Sequence, residues 1–143
     1  MLTGLKRHGW DSTSLVTAET EGADCFARAR AAGGPVRLDA ITSVATSLGA
    51  LECSPTALDL AASHPTRSAV VTDAEAIDAC LRLADDHRTL VEPACGAALA
   101  LLYSERHRGM WAEFEDVVVV VCGGGGVDLA LLKEWSRLAN KGG

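Results

Sequence analysis

Five consecutive valines, Val117 to Val121, constrain this chain more than any other stretch. Each is β-branched and stiff at its first side-chain torsion, which suits a pleated strand. No polar residue alternates with them, so both faces of such a strand are expected to be covered. That is the pattern of a parallel sheet held between helices. Cys122 and four glycines, Gly123 to Gly126, follow at once, and VDLALLKEWSRLAN then continues with helical spacing. In an open α/β sheet, ligands bind in the crevice beyond the carboxyl ends of the strands. This reading puts Cys122 at that crevice, with glycines that let backbone amides approach a small polar group. The same turn also reads as a plain strand-to-helix connection, because one Gly-rich turn does not select a ligand.

The preceding residues alternate between strand and helix signals. LTGLKRH near the start ends in basic residues and stops at Gly9, as a helix end does. Ser14 to Glu19 reads as a short strand, followed by a helix, CFARARAAG, that Gly33 and Gly34 close. Thr42 or Ser43 is expected to open another helix, SVATSLG, ending at Gly49. Ser54 followed by Pro55 reads as an N-cap and a first-turn proline, with the helix running to Pro65. Ser68 to Thr72 is a second strand, and Asp73 is expected to cap DAEAIDACLRLADDH, with Ile77, Leu81 and Ala84 on one face. Pro93 starts a further helix, apolar all round from Ala94 to Tyr103 and therefore expected to be buried. Met110 to Glu115 is a polar connection into the valine strand. The alternation predicts an α/β fold, a parallel sheet with crossover helices. Three strands are few for such a sheet, and edges without partners imply part of something larger.

Composition bounds the function. At 143 residues the chain is one domain in size, and its 48% hydrophobic content with 4% aromatic predicts an Ala/Val/Leu core. A net charge of −6 argues against nucleic acid as a partner. No apolar run approaches a membrane span, and the start lacks a signal-peptide core, so the expectation is a cytoplasmic protein with no membrane partner. Cys25, Cys53, Cys80, Cys95 and Cys122 form no CxxC pair or metal-finger spacing and read as free thiols. His8, His64, His87 and His107 are scattered among polar residues and read as surface histidines without a metal.

Four stretches carry a family resemblance: AETEGADCF (Ala18 to Phe26), ITSVATSLGA (Ile41 to Ala50), LVEPACGAALALLYS (Leu90 to Ser104) and VVVVVCGGGG (Val117 to Gly126). In content, order and spacing they resemble the C-terminal half of the serine dehydratases, fold-type II pyridoxal-phosphate enzymes that act on L-serine and L-threonine. The resemblance implies that residues 1–143 form the C-terminal part of a catalytic domain, within a large cofactor domain like that of the tryptophan synthase β subunit. It implies pyridoxal 5'-phosphate as cofactor, with Cys122 facing its pyridine nitrogen and Gly123 in the turn beside the ring. It also implies a monovalent-cation site, expected to hold potassium, made by the Glu19 side chain and the backbone carbonyls of Ala23, Leu48 and Ala50. Carboxylate and carbonyl oxygens are what a hard cation prefers. The implied partners are an amino-acid substrate and either a homodimer mate or a complementing N-terminal half.

Plainer readings stand beside these. Cys122 is also read as a small buried hydrophobe, Glu19 as an acid favouring the dipole of the next helix, Glu92 as structural, and Cys95 as packing. The family's Schiff-base lysine and substrate-carboxylate loop belong to its N-terminal half, and the three lysines here, Lys6, Lys133 and Lys141, match neither motif. The isolated chain is therefore expected to be inactive, with no catalytic residue assigned in it. ALECS after Leu48-Gly49 departs from the family pattern, which puts the loop chemistry there in doubt. A non-catalytic module that pairs with a full-length dehydratase is the alternative. A phosphate-binding domain using Gly123 to Gly126 is weaker, since Val127 and Asp128 stand where a lysine and a hydroxyl are needed.

Overall fold

The structure is a computed structural model that describes residues 1–139. Its sheet consists of two parallel strands, β1 (Leu15–Thr20) and β2 (Thr66–Val71), in register from Leu15 opposite Thr66 to Thr20 opposite Val71. Parallel neighbours need a crossover, and here the chain passes through α2 (Cys25–Ala32) and α3 (Pro55–Ala62) between them. A short α1 (Leu2–Arg7) precedes β1 and ends at Gly9, which takes φ +70°. After β2 come α4 (Asp73–His87), α5 (Pro93–Tyr103), a 3-10 segment at Glu105–Trp111, and α6 (Leu129–Ala139). Asn140 and Lys141 lie outside the described residues.

The centre of the molecule is the seam between α4 and α5. On α4 the buried residues are Ala76, Ile77, Ala79, Cys80 and Leu83, a stripe shifted from the expected Ile77, Leu81 and Ala84. They meet Cys95, Gly96, Ala97, Leu99 and Ala100 of α5, which is buried nearly all round, as its composition predicts; Leu102 is the exception. The sequence places glycine where the helices come closest. A Cβ on Gly96 would stand 2.2 Å from the Ala76 carbonyl oxygen and 2.6 Å from the Cys80 sulfur. Val71 and Ala69 of β2 join this core, and α6 adds Leu132, which is fully buried. A second cluster, Cys25, Ala29, Leu38 and Cys53, lies under α2 with Phe26, Ile41 and Leu58 around it.

Four expectations need correction. Val117–Val121 pair with no strand among the described residues, and Val117, Val118, Val120 and Val121 are exposed, Val118 at 90%. Val119 packs on the core. Branched side chains favour a strand, but a strand also needs backbone partners, and no described residue supplies them.

The expected SVATSLG helix is a single 3-10 turn, Thr46–Leu48. The Ser43 hydroxyl takes the Ala45 N–H and the Asp73 carboxylate takes the Val44 N–H, so side-chain bonds displace the helical ladder. Thr72, not Asp73, caps α4: its hydroxyl accepts from Glu75 N–H, and the Glu75 carboxylate accepts from Thr72 N–H, a capping box.

Finally, two of the four histidines are not on the surface. His64 is 7% exposed with Nε2 2.7 Å from the Thr13 carbonyl, and His107 packs its ring beside Glu75.

Candidate functional site

The strands end in a buried polar knot. Ser43 donates to Asp73 Oδ1 at 2.5 Å and accepts from Ala45 N–H at 2.9 Å, and its oxygen lies 2.7 Å from the Thr20 hydroxyl. With its one proton given to Asp73, Ser43 receives the Thr20 proton, and the hydroxyl is fully satisfied. This knot ties the end of β1, the loop after Ile41 and the start of α4 together at the carboxyl edge of the sheet. The motif ITSVATSLGA contains Ser43, but only the fold reveals Asp73 as its partner.

Glu19 lies one residue earlier on β1, and it is 8% exposed. Its two oxygens accept the N–H groups of Phe26 at 2.9 Å and Ala27 at 2.7 Å, in the first turn of α2. The reading of Glu19 as an acid on the dipole of the next helix is thus visible, and it leaves further lone pairs on both oxygens. Burial pushes this carboxyl above the usual 4.5, against those two N–H donors, and the nearby Asp24 adds repulsion. Asp24 Oδ1 is itself buried without a hydrogen-bond partner.

Ala23 is fully buried in the turn between them, and its N–H donates to the Thr20 carbonyl. Leu48 and Ala50 sit at the end of the 3-10 turn, joined by an Ala50 N–H to Leu48 carbonyl bond of 2.7 Å. Burial raises the Cys53 thiol, and Cys53 packs with Cys25 at the start of α2, so this loop returns towards the helix turn that Glu19 holds. Among the described residues no three His, Cys, Asp or Glu side chains group as a metal centre. The one carboxylate among the four implied ligands is that of Glu19, and the Leu48 carbonyl already accepts the Ala50 N–H.

Cys122 and Gly123 sit against the start of α5. Glu92, the residue before Pro93, donates its N–H to the Gly123 carbonyl at 3.1 Å, and its side chain makes no capping bond. Cys95 reaches the same turn: its sulfur accepts from Cys122 N–H at 3.1 Å and Gly123 N–H at 3.3 Å. Reading Cys95 as packing alone misses this. Gly124 lets the turn lie on the chain, for a Cβ there would stand 2.6 Å from the Leu90 carbonyl oxygen. The Cys122 thiol is exposed, not buried, and its pKa lies above the usual 9.0, chiefly because of the Cys95 sulfur. It is therefore a neutral donor at physiological pH. A cavity of about 240 Å3 adjoins the turn, lined by Val44, Thr46, Ser47, Glu92, Gly126 and Trp135 among others. It joins the loop after Ser43 to the Gly-rich turn.

Glu75, the capping acid of α4, has the opposite character from Glu19. Burial opposes its ionisation, but the Thr72 N–H, Arg106 at 3.1 Å and the Thr72 and Ser104 hydroxyls outweigh it and hold its carboxyl below 4.5. The two acids load stability into separate pH windows. Glu75 contributes stability above its unfolded value near 4.5 that is lost as the pH falls through its lower folded pKa. Glu19 contributes stability that is fully present below 4.5 and is lost as the pH rises through its higher folded pKa. Urea midpoints against pH are expected to lose their acid-side slope in Glu75→Gln and the slope above 4.5 in Glu19→Gln. Unchanged profiles in both variants would contradict these assignments.

Among the described residues no helix is long and apolar enough to cross a membrane. The family described as pyridoxal-phosphate dependent enzyme matches residues 1–123. A human serine dehydratase-like protein is 45% identical over 134 residues, covering 90% of this chain and 41% of its own length. The Bos taurus L-serine dehydratase/L-threonine deaminase is 41% identical over 138 residues, covering 92% of this chain and 42% of its own length. Among solved structures, a fungal L-serine ammonia-lyase from Rhizomucor miehei superposes with a TM-score of 0.91 at 34% identity, covering 95% of this chain and 44% of that one. The chain thus spans about two-fifths of the length of the curated relatives it matches. The parallel strands and these matches agree, and the chain belongs to the pyridoxal-phosphate dependent enzymes as a homologue of the serine dehydratases.

Proposed function

We propose that this chain is the C-terminal portion of an L-serine/L-threonine dehydratase, an ammonia-lyase that yields pyruvate or 2-oxobutyrate and ammonia. The observation that carries this reading is the serine dehydratase match along nine-tenths of the chain. When bound, pyridoxal phosphate supplies the electron sink for bond breaking at the substrate α-carbon. Cys122 would sit beside its ring, where an exposed thiol with a raised pKa would offer a hydrogen bond without a full proton transfer. Gly123, with no side chain and open space around its Cβ position, would leave the ring room. The Thr20–Ser43–Asp73 knot holds the surrounding loop in place.

Glu19, with the carbonyls of Ala23, Leu48 and Ala50, would hold a monovalent cation. The raised Glu19 pKa and the unpartnered Asp24 Oδ1 are what a bound cation would relieve. Potassium, compared with lithium at equal ionic strength, is expected to raise the melting temperature by about 2–4 °C. Glu19→Gln should abolish the difference. Equal melting temperatures in both salts would remove the cation site from the reading.

The Schiff-base lysine comes from the N-terminal portion of the catalytic domain. Lys6 and Lys133 are exposed, and Lys6 binds the Ser63 hydroxyl. The chain alone is therefore inactive, and the complete enzyme, acting on a small amino acid, is a homodimer. The exposed valines favour one second reading, a non-catalytic module that pairs with a full-length dehydratase through that segment. Reconstitution with the N-terminal portion separates the two: ketoacid formation supports the enzyme, and binding without turnover supports the module.

A further inference from the structure

We propose that Cys95 and Cys122 form a reversible disulfide, a redox modification site where the Gly-rich turn meets α5. Every polar contact of the Cys95 sulfur is to this turn. It accepts from the N–H groups of Cys122 at 3.1 Å and Gly123 at 3.3 Å, and its S–H donates to the Gly123 carbonyl at 3.4 Å. With the Cys122 nitrogen at 3.1 Å, the Cys122 Cα lies only one bond, about 1.5 Å, further away at most. The Cys95 Cα lies two bonds, about 2.8 Å, beyond its sulfur, so the two Cα atoms stand at most about 7.4 Å apart, and side-chain rotation with little backbone adjustment reaches the roughly 4.4–6.8 Å that disulfides bridge. The Cys95 sulfur is the largest influence on the Cys122 thiol, as expected for side chains this close.

Access differs between the two. Cys122 is exposed, whereas Cys95 is 4% exposed. An oxidant therefore meets Cys122 first, and Cys95 is the resolving thiol. The remaining cysteines are poor competitors. Cys80 also lies near Cys95, but it is fully buried and its thiol is pushed up to about 12. Cys25 and Cys53 belong to the other cluster.

With a small disulfide such as oxidised glutathione as oxidant, the chemistry balances. Cys122 loses its proton to solvent, and its sulfur attacks one glutathione sulfur and expels the first glutathione, which takes up a proton. Cys95 then loses its proton, attacks the Cys122 sulfur and expels the second glutathione. Two protein thiols are oxidised while one glutathione disulfide is reduced to two thiols. The bond draws the Cys122 sulfur onto α5. The pairing depends on these two side chains alone and stands apart from the cofactor reading.

The test is to incubate the purified protein with oxidised glutathione, alkylate the remaining thiols, and map peptides by mass spectrometry. The expected result is one internal disulfide joining the Cys95 and Cys122 peptides, with no glutathione retained and full reversal by dithiothreitol. In Cys95→Ser, glutathione should remain on Cys122, because the resolving thiol is gone. In Cys122→Ser, Cys95 should stay reduced. A wild-type protein that keeps glutathione on Cys122, leaves both thiols free, or links Cys80 to Cys95 would overturn the proposal. Because the wild-type map alone decides, a variant that fails to fold does not obscure the outcome.

Discussion

Gly96→Ala is expected to destabilise the protein by about 3 kcal/mol, the upper part of the range for overpacked cores. The added methyl would meet the Ala76 carbonyl oxygen at 2.2 Å, its carbonyl carbon at 2.9 Å and the Cys80 sulfur at 2.6 Å. The first two are backbone atoms of α4, so rotating a side chain cannot make room. The helices must separate, and Ala76, Ala79, Cys80, Ala97 and Ala100 then lose contact along the whole seam. At about 2–4 °C per kcal/mol for a chain of this size, the melting temperature should fall by roughly 6–12 °C. Gly4→Ala in α1 is the control. No atom lies within 4 Å of its added Cβ, so helix propensity favours alanine by up to about 1 kcal/mol. A Gly96→Ala protein that melts with the wild type would mean that α4 and α5 do not approach as described.

Much of the fold was legible because local signals and packing agree. Both strands, the glycine ends of α1 and α2, Pro55 and Pro93 at helix starts, and the buried character of α5 follow from the sequence and recur in the structure. The misreadings have specific causes. In Val117–Val121 the intrinsic preference is for a strand, but pairing is a property of neighbouring backbone, and the run finds none among the described residues. At Thr42–Gly49 the helical spacing was real, but Ser43 and Asp73, thirty residues apart in sequence, take over the backbone groups. Thr72 and Asp73 are both good caps, and only the Glu75 side chain, reaching back to Thr72 N–H, decides between them.

The site was legible in proportion to its dependence on short motifs. Glu19, Cys122 and Gly123 stand in contiguous motifs and were singled out through the family resemblance those motifs carry. Cys95 was not, because a cysteine in an apolar helix looks like packing until the turn at Cys122 is folded onto it. The Thr20–Ser43–Asp73 knot draws on three distant segments and carries no sequence signature. His107 misled for the same reason: its polar neighbours in sequence suggest a surface residue, whereas Glu75 on α4 receives it in space.

The largest functional effect expected is the appearance of activity when the chain meets the rest of the catalytic domain. A nucleophilic lysine splits a difficult step into easier ones. Neither Lys6 nor Lys133 stands near Cys122 in the hydrogen-bond network of the turn, where Cys95 and Glu92 are the contacts. On the proposed reading, adding the N-terminal portion of a serine dehydratase relative would supply that lysine and offer partners to the exposed valines Val117, Val118, Val120 and Val121. The decisive measurement is therefore ketoacid formation from L-serine and L-threonine, with pyridoxal phosphate and potassium present, for each portion alone and for the two mixed. The account predicts no pyruvate or 2-oxobutyrate from either portion alone and both from the mixture. Turnover by this chain alone, or a bound mixture that never releases ketoacid, would contradict it.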